Sequence, residues 1–151
     1  MFFRVIALAT LAFSAQAADI SLTGGDWSET IDAGDLIAGA GSDIRSPIES
    51  GGAEFQLGIS NTGGAGWTVR LRRDAGTWPR DVSVEARRIT DGSGAGTIGG
   101  GSGYHTITGL DQTLFTGSGD RIGIGVQLKV TGFEVQRAPD DYGTTLTYSV
   151  D

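Results

Sequence analysis

His105 is the only histidine in this chain of 151 residues, so any serine–histidine–aspartate relay must run through it. It sits at the mouth of a glycine-rich stretch. No Gly-x-Ser-x-Gly elbow occurs to lift a serine nucleophile out of a strand-to-helix turn. His105 therefore reads as a loop-edge residue without a catalytic role. Gly94-Ala95-Gly96-Thr97-Ile98-Gly99 spells a dinucleotide fingerprint, but that chemistry needs a helix N-terminus to hold the pyrophosphate. No helical periodicity follows it, and with 26 glycines present a chance match is expected. The chain has no cysteine, which removes thiol catalysis, thiolate metal sites and lipid attachment at a cysteine. Stability must come from burial and backbone pairing.

Carboxylates are plentiful: Asp26, Glu29, Asp32, Asp35, Asp43, Glu49 and Glu54 precede the first strong strand. Two of them could serve as acid and base in glycoside hydrolysis. The loop from Asp32 to Asp43 could offer calcium the hard oxygen ligands it selects. Neither the EF-hand spacing nor a Gly-Gly-x-Gly-x-Asp repeat is present. A solvated acidic surface is the favoured account. Calcium is the one metal worth testing, and no catalytic, cofactor-binding or metal residue is assigned.

Charge is distributed unevenly. Eight acidic residues stand against Arg45 between Ala18 and Asn61, a net of −7. Between Trp67 and Thr90, six arginines stand against three acidic residues, a net of +3. The simpler reading pairs the two segments within one molecule, across neighbouring strands. The other sets the acidic patch of one subunit, with Asp32 and Asp35, against the basic patch of the next, with Arg70, Arg72 and Arg87. Such a contact could propagate as a filament. Trp78 precedes Pro79 in a loop, where the favoured reading packs it over the end of the sandwich; if exposed, it would form with Tyr104 and Tyr142 a platform for stacking on sugars.

The elements that must position these residues alternate with a period of two. Trp67, Val69 and Leu71 form one segment and Val82, Val84 and Ala86 the next, with a polar link between them. This reads as two half-buried antiparallel strands at the centre of a sandwich. Their opposite face would carry Arg70 and Arg72, then Glu85 and Arg87. Further strands are predicted at Ile20–Leu22, Trp27–Ile31, Phe55–Ile59, His105–Thr108, Gln112–Phe115 and Thr144–Val150. The clearest is Arg121–Val130, with Ile122, Ile124, Val126, Leu128 and Val130 on one side, continuing to Phe133 and Val135 through a bulge at Gly132. Asp32–Gly52 reads as a surface connection and Asp91–Gly103 as a flexible loop.

Residues 1–17 read as a signal peptide. Arg4 is followed by an apolar run from Val5 to Phe13, too short to span a bilayer, and then by the cleavage pattern Ala15-Gln16-Ala17. Export would leave a single domain over residues 18–151, with no membrane span and 10 basic against 18 acidic residues, net −8. That charge argues against nucleic acid as a partner.

The closing run Tyr142-Gly143-Thr144-Thr145-Leu146-Thr147-Tyr148-Ser149-Val150 resembles the last strand of secreted bacterial β-sandwich subunits of the fimbrial and spore-coat-U type. The signal peptide and general layout are similar too. The chain departs from that pattern in having no cysteine pair and no long alternating N-terminal extension; only Ile20 and Leu22 alternate there. The expected fold is an all-β, antiparallel sandwich of seven to nine strands, immunoglobulin-like or fimbrial-like. The resemblance implies a structural or adhesive surface subunit, secreted, periplasmic or at the cell surface. It would be non-enzymatic, assembling with itself or with other surface proteins through its sheet edges. The alternative is a carbohydrate-binding module, with polysaccharide as the partner.

Overall fold

A computed structural model describes residues 1–9 and 18–151. The strands are β1 (Phe2–Ala9), β2 (Asp19–Gly24), β3 (Asp26–Thr30), β4 (Ile48–Glu49), β5 (Phe55–Ser60), β6 (Gly66–Asp74) and β7 (Ser83–Arg88). They continue with β8 (Ser93–Gly94), β9 (Ile98–Gly99), β10 (His105–Thr106), β11 (Gln112–Ser118), β12 (Arg121–Thr131) and β13 (Asp141–Val150). One sheet runs β3-β1-β13-β6-β11-β9, and the other β10-β7-β12-β5-β2, with β4 and β8 also on β12. A 3-10 turn at Ala33–Asp35 is the only helical element among the described residues.

The expected all-β, two-sheet organisation is present. Thirteen strands are described instead of seven to nine, and four of these are two-residue pairings. Two came from the stretch expected to be a loop: β8 pairs with β12 and β9 with β11. Glycine makes that possible. A Cβ on Gly101, whose φ is +71°, would come within 2.5 Å of the Leu114 carbonyl oxygen, so the chain there lies against its neighbour as only glycine allows.

Alternation in β6 buries Trp67, Val69 and Leu71, and alternation in β7 buries Val84 and Ala86, as the period of two requires. The two strands were expected to be sheet neighbours; instead they lie in different sheets. Their apolar faces meet in one core shared with Phe55, Leu57, Ile124, Val126, Leu128 and Leu146. The polar link Ala75–Val82 is therefore a crossing between layers, pinned by Trp78, whose Nε1 donates to the Val82 carbonyl at 2.8 Å. As a consequence Arg70 and Arg72 belong to the outer face of one sheet and Arg87 to that of the other.

Two finer expectations also fail. Ile122 is 68% exposed, because the β12–β5 register shifts between Arg121 and Ile124 around Gly123, at φ +71°. A one-residue shift turns a side chain to the opposite face. β12 ends at Thr131 and does not continue to Val135. Gly132, at φ +97°, turns the chain instead, and Phe133 folds back into the core.

Phe2–Ala9, read above as part of a leader, forms a strand. β1 lies between two partners, running parallel to β13 and antiparallel to β3. The parallel pair departs from the antiparallel expectation. The Ala15-Gln16-Ala17 pattern lies outside the described residues.

Candidate functional site

The position of β1 is set by its own period of two. Phe3, Val5 and Ala7 face inward, at 0%, 0% and 7% exposure, while Arg4 and Leu8 face out. Backbone pairing runs along both edges, from Phe2 opposite Asp141 to Ala9 opposite Tyr148 on one side, and from Phe2 opposite Thr30 to Ile6 opposite Asp26 on the other.

The inward residues enter an aromatic chamber. The Phe3 ring meets Trp27 edge-on at 5.2 Å between centroids, Trp78 edge-on at 5.7 Å, and Phe133 in a stack at 5.3 Å. Such arrangements satisfy the ring quadrupoles and add to the gain from burial. The polar ends of the two indoles are already engaged. Trp27 Nε1 donates to Glu29 Oε1 at 3.0 Å, and Trp78 Nε1 donates to the Val82 carbonyl. What the chamber offers an incoming group is thus ring surface alone. Past Val5 the strand reaches Ala7, whose N–H donates to the Gly25 carbonyl at 2.7 Å, where the chain passes from β2 to β3.

Outside, Arg4 makes a forked ion pair with Asp26, Nε to Oδ1 at 2.9 Å and Nη2 to Oδ2 at 2.6 Å. The hydrogen bonds from Arg4 hold the Asp26 carboxyl below the usual carboxylate range. At the Met1 end a cleft of about 280 Å³, lined by Ile31, Leu36, Ile44, Val135 and Pro139, continues the line of the strand.

The charged residues singled out from the sequence are not brought together. Asp32 and Asp35 form a reciprocal cap on the 3-10 turn: Asp32 Oδ1 accepts from Gly34 N, and Asp35 Oδ2 accepts from Asp32 N. Among the described residues no group of three metal-ligating side chains forms. Arg70 pairs with Asp151 at 3.2 Å, and Arg72 is exposed. Arg87 donates to Gln127 Oε1 at 2.8 and 3.1 Å. No ion pair joins the acidic segment 18–61 to the arginines of 67–90 among the described residues; the bridges are Arg4–Asp26, Arg70–Asp151, Arg88–Asp91, Lys129–Glu85 and Arg137–Asp81. Cross-strand pairing of the two segments was the simpler expectation; it is not met because none of the strands from the acidic segment, β2 to β5, pairs with β6 or β7.

Of the three aromatics of the glycan reading, Trp78 and Tyr142 both pack on Phe133 and Tyr104 lies apart from them. Trp78 is 7% exposed and packed on Phe3 and Phe133, so its ring face is not presented to solvent. Tyr142 packs on Phe133, and its hydroxyl donates to the Ala138 carbonyl at 2.7 Å. Tyr104 belongs to the outer face of the other sheet. The cations of Arg87 and Lys129 lie 4.5 and 4.1 Å from its ring centroid, and its hydroxyl donates to Glu49 at 2.7 Å. Burial, then the Glu49 hydrogen bond, pushes its phenol up to about 12. His105 is exposed at the start of β10.

Phe3, Trp27 and Phe133 went unrecognised as a set in the sequence. The signal was present in the alternation Phe3, Val5, Ala7, but residues 6, 8 and 9 are apolar as well, and an unbroken apolar run masks a period of two. Lys129 lies on β12 in the middle of its sheet. The strands at the ends of the two sheet paths are β2, β3, β9 and β10. Among the described residues no helix is long and apolar enough to cross a membrane. No protein-family model matches the chain, and comparison with curated proteins gives no match.

Proposed function

We propose that the chain is an exported, non-enzymatic structural or adhesive surface subunit that works through protein–protein contact at the place β1 occupies. The single observation that carries this is a coincidence of roles. The strand that completes one sheet, Phe2–Ala9, is the stretch whose sequence reads as a removable leader. Export with cleavage after Ala17 would take Phe3, Val5 and Ala7 out of the core. It would leave β3 and β13 with unpaired backbone groups facing each other across an apolar slot. Open edges of this kind recruit strands.

The finer fold type, an immunoglobulin-like or fimbrial-like sandwich, belongs to the same reading. It is supported by two sheets around one core and by the Thr-rich final strand β13 beside the slot. The test is the mass of the exported protein by mass spectrometry and light scattering, at low and high salt. A chain beginning at Ala18, held at high salt in assemblies with another exported protein, is expected. A leaderless chain that stays monomeric and fully folded at every salt would overturn the proposal.

A further inference from the structure

Resting on that reading, we propose that the slot is selective for a strand of another protein with an aromatic, a basic, an aliphatic and a small residue at successive defined positions, and that it excludes a second copy of this chain. Polarity comes first. A strand in this place must run parallel to β13 and antiparallel to β3 to satisfy both edges in the observed register, and the two patterns of hydrogen bonding are not interchangeable.

Side-chain choice follows from what each position touches. The deepest position is walled by Trp27, Trp78 and Phe133, whose indole N–H groups are already bonded. Only a flat apolar ring fills that space and meets ring edges as Phe3 does. The next residue points outward beside Asp26, where Arg4 forms its forked pair, so a basic residue suits it. The third, Val5, is fully buried beside Trp27 and Thr144. The fifth, Ala7, sits where the strand is bonded to Gly25. A Cβ on Gly25 would lie only 3.1 Å from the Ala7 carbonyl oxygen, so the two backbones are closely apposed there, and the inward Ala7 side chain is itself buried; a small residue suits that place.

A second copy has no suitable strand to give. Within residues 18–151 the long alternating segments are already members of the two sheets. The edge strand nearest the N-terminus, Asp19–Gly24, carries Ile20 and Leu22 without an aromatic residue. With Ile20 in the place of Val5, Asp19 would take the place of Arg4 and set a negative charge beside Asp26. A partner with a free, basic, aromatic-led strand is the occupant these contacts specify.

The experiment uses the protein exported from cells expressing the full chain, unfolded in guanidinium and refolded with synthetic peptides of residues 1–9. Binding and folding are read from the tryptophan fluorescence and from the yield of soluble protein. The wild-type peptide should bind and raise the yield. The Phe3→Ala peptide should bind about 100-fold more weakly or worse, given what truncating a buried ring costs. The Leu8→Ala peptide should stay within about threefold, as an exposed position does. A peptide made from Ala18 to Gly25 should not bind.

Binding by every peptide alike would overturn the selectivity while leaving the slot reading intact. Binding of the Ala18–Gly25 peptide would overturn the exclusion of a second copy. An exported chain that retains residues 1–17, or one to which no peptide binds, would overturn the slot reading and this inference with it.

Discussion

The rings of Phe3 and Phe133 stack at 5.3 Å with 22° between their planes, although 130 residues of sequence separate them. Both are buried, at 0% and 6% exposure. In the full chain, Phe3→Ala and Phe133→Ala should each cost about 3–5 kcal/mol, the range for deleting a packed ring. The double variant should show a coupling of about 0.5–1.5 kcal/mol, because the two rings touch. Guanidinium unfolding of the four proteins of the cycle measures this. Strict additivity would mean that β1 does not hold this place in solution.

Tyr148 offers the opposite expectation. Its side chain is fully buried on β13, and its hydroxyl has no hydrogen-bond partner among the described residues. Burial pushes its phenol well above the ordinary value. An unpaired buried hydroxyl costs about 1–3 kcal/mol of lost hydration. Tyr148→Phe removes the polar atom and keeps the ring, so it should leave stability unchanged or raise it by about 1 kcal/mol. A clear loss in the same unfolding assay would reveal a partner for that hydroxyl.

Glycine content is not uniform in importance. A Cβ on Gly117 would meet the Trp67 ring and sit 2.6 Å from the Thr97 carbonyl oxygen, whereas a Cβ on Gly99 would meet nothing within 4 Å. Trp67 has little room to yield, since its Nε1 donates to the Gly119 carbonyl at 2.8 Å. Gly117→Ala should therefore destabilise by about 1–3 kcal/mol, the usual cost of overpacking. Gly99→Ala should fall within about 0.5 kcal/mol of the parent. Paired Tm measurements decide it, and equal shifts would refute the account.

The period-two signal made most of the longer strands legible from residue types, including β5, β6, β7, β12 and β13. It could not show that β6 and β7 part into separate sheets, because alternation specifies which side chains are buried and not which neighbour they are buried against. Ile122 was misplaced for a related reason: a register shift around Gly123 leaves no mark in apolar patterning. Of the aromatic chamber, Trp78 was singled out, with packing over the end of the sandwich as the favoured place and exposure as the alternative. Its partners Phe3, Trp27 and Phe133 come from three separate stretches, and only the fold brings them into one chamber.

Acid should reveal a last local dependence, at Asp120. Its carboxylate accepts two hydrogen bonds from Thr62, the backbone N–H at 3.0 Å and the hydroxyl at 2.6 Å. The side-chain bond first, and the backbone bond next, hold the Asp120 carboxyl below its ordinary value. A group depressed in this way contributes stability that is complete above the unfolded value of about 4. That contribution is lost as pH falls through the lower, folded value. Asp120→Asn cannot titrate, so its deficit relative to the parent should be largest near pH 7 and shrink steadily below about pH 4. Thermal unfolding of both proteins from pH 7 down to about pH 2 tests this, and a deficit that stays constant across that range would show that the Thr62 bonds do not depend on the charge.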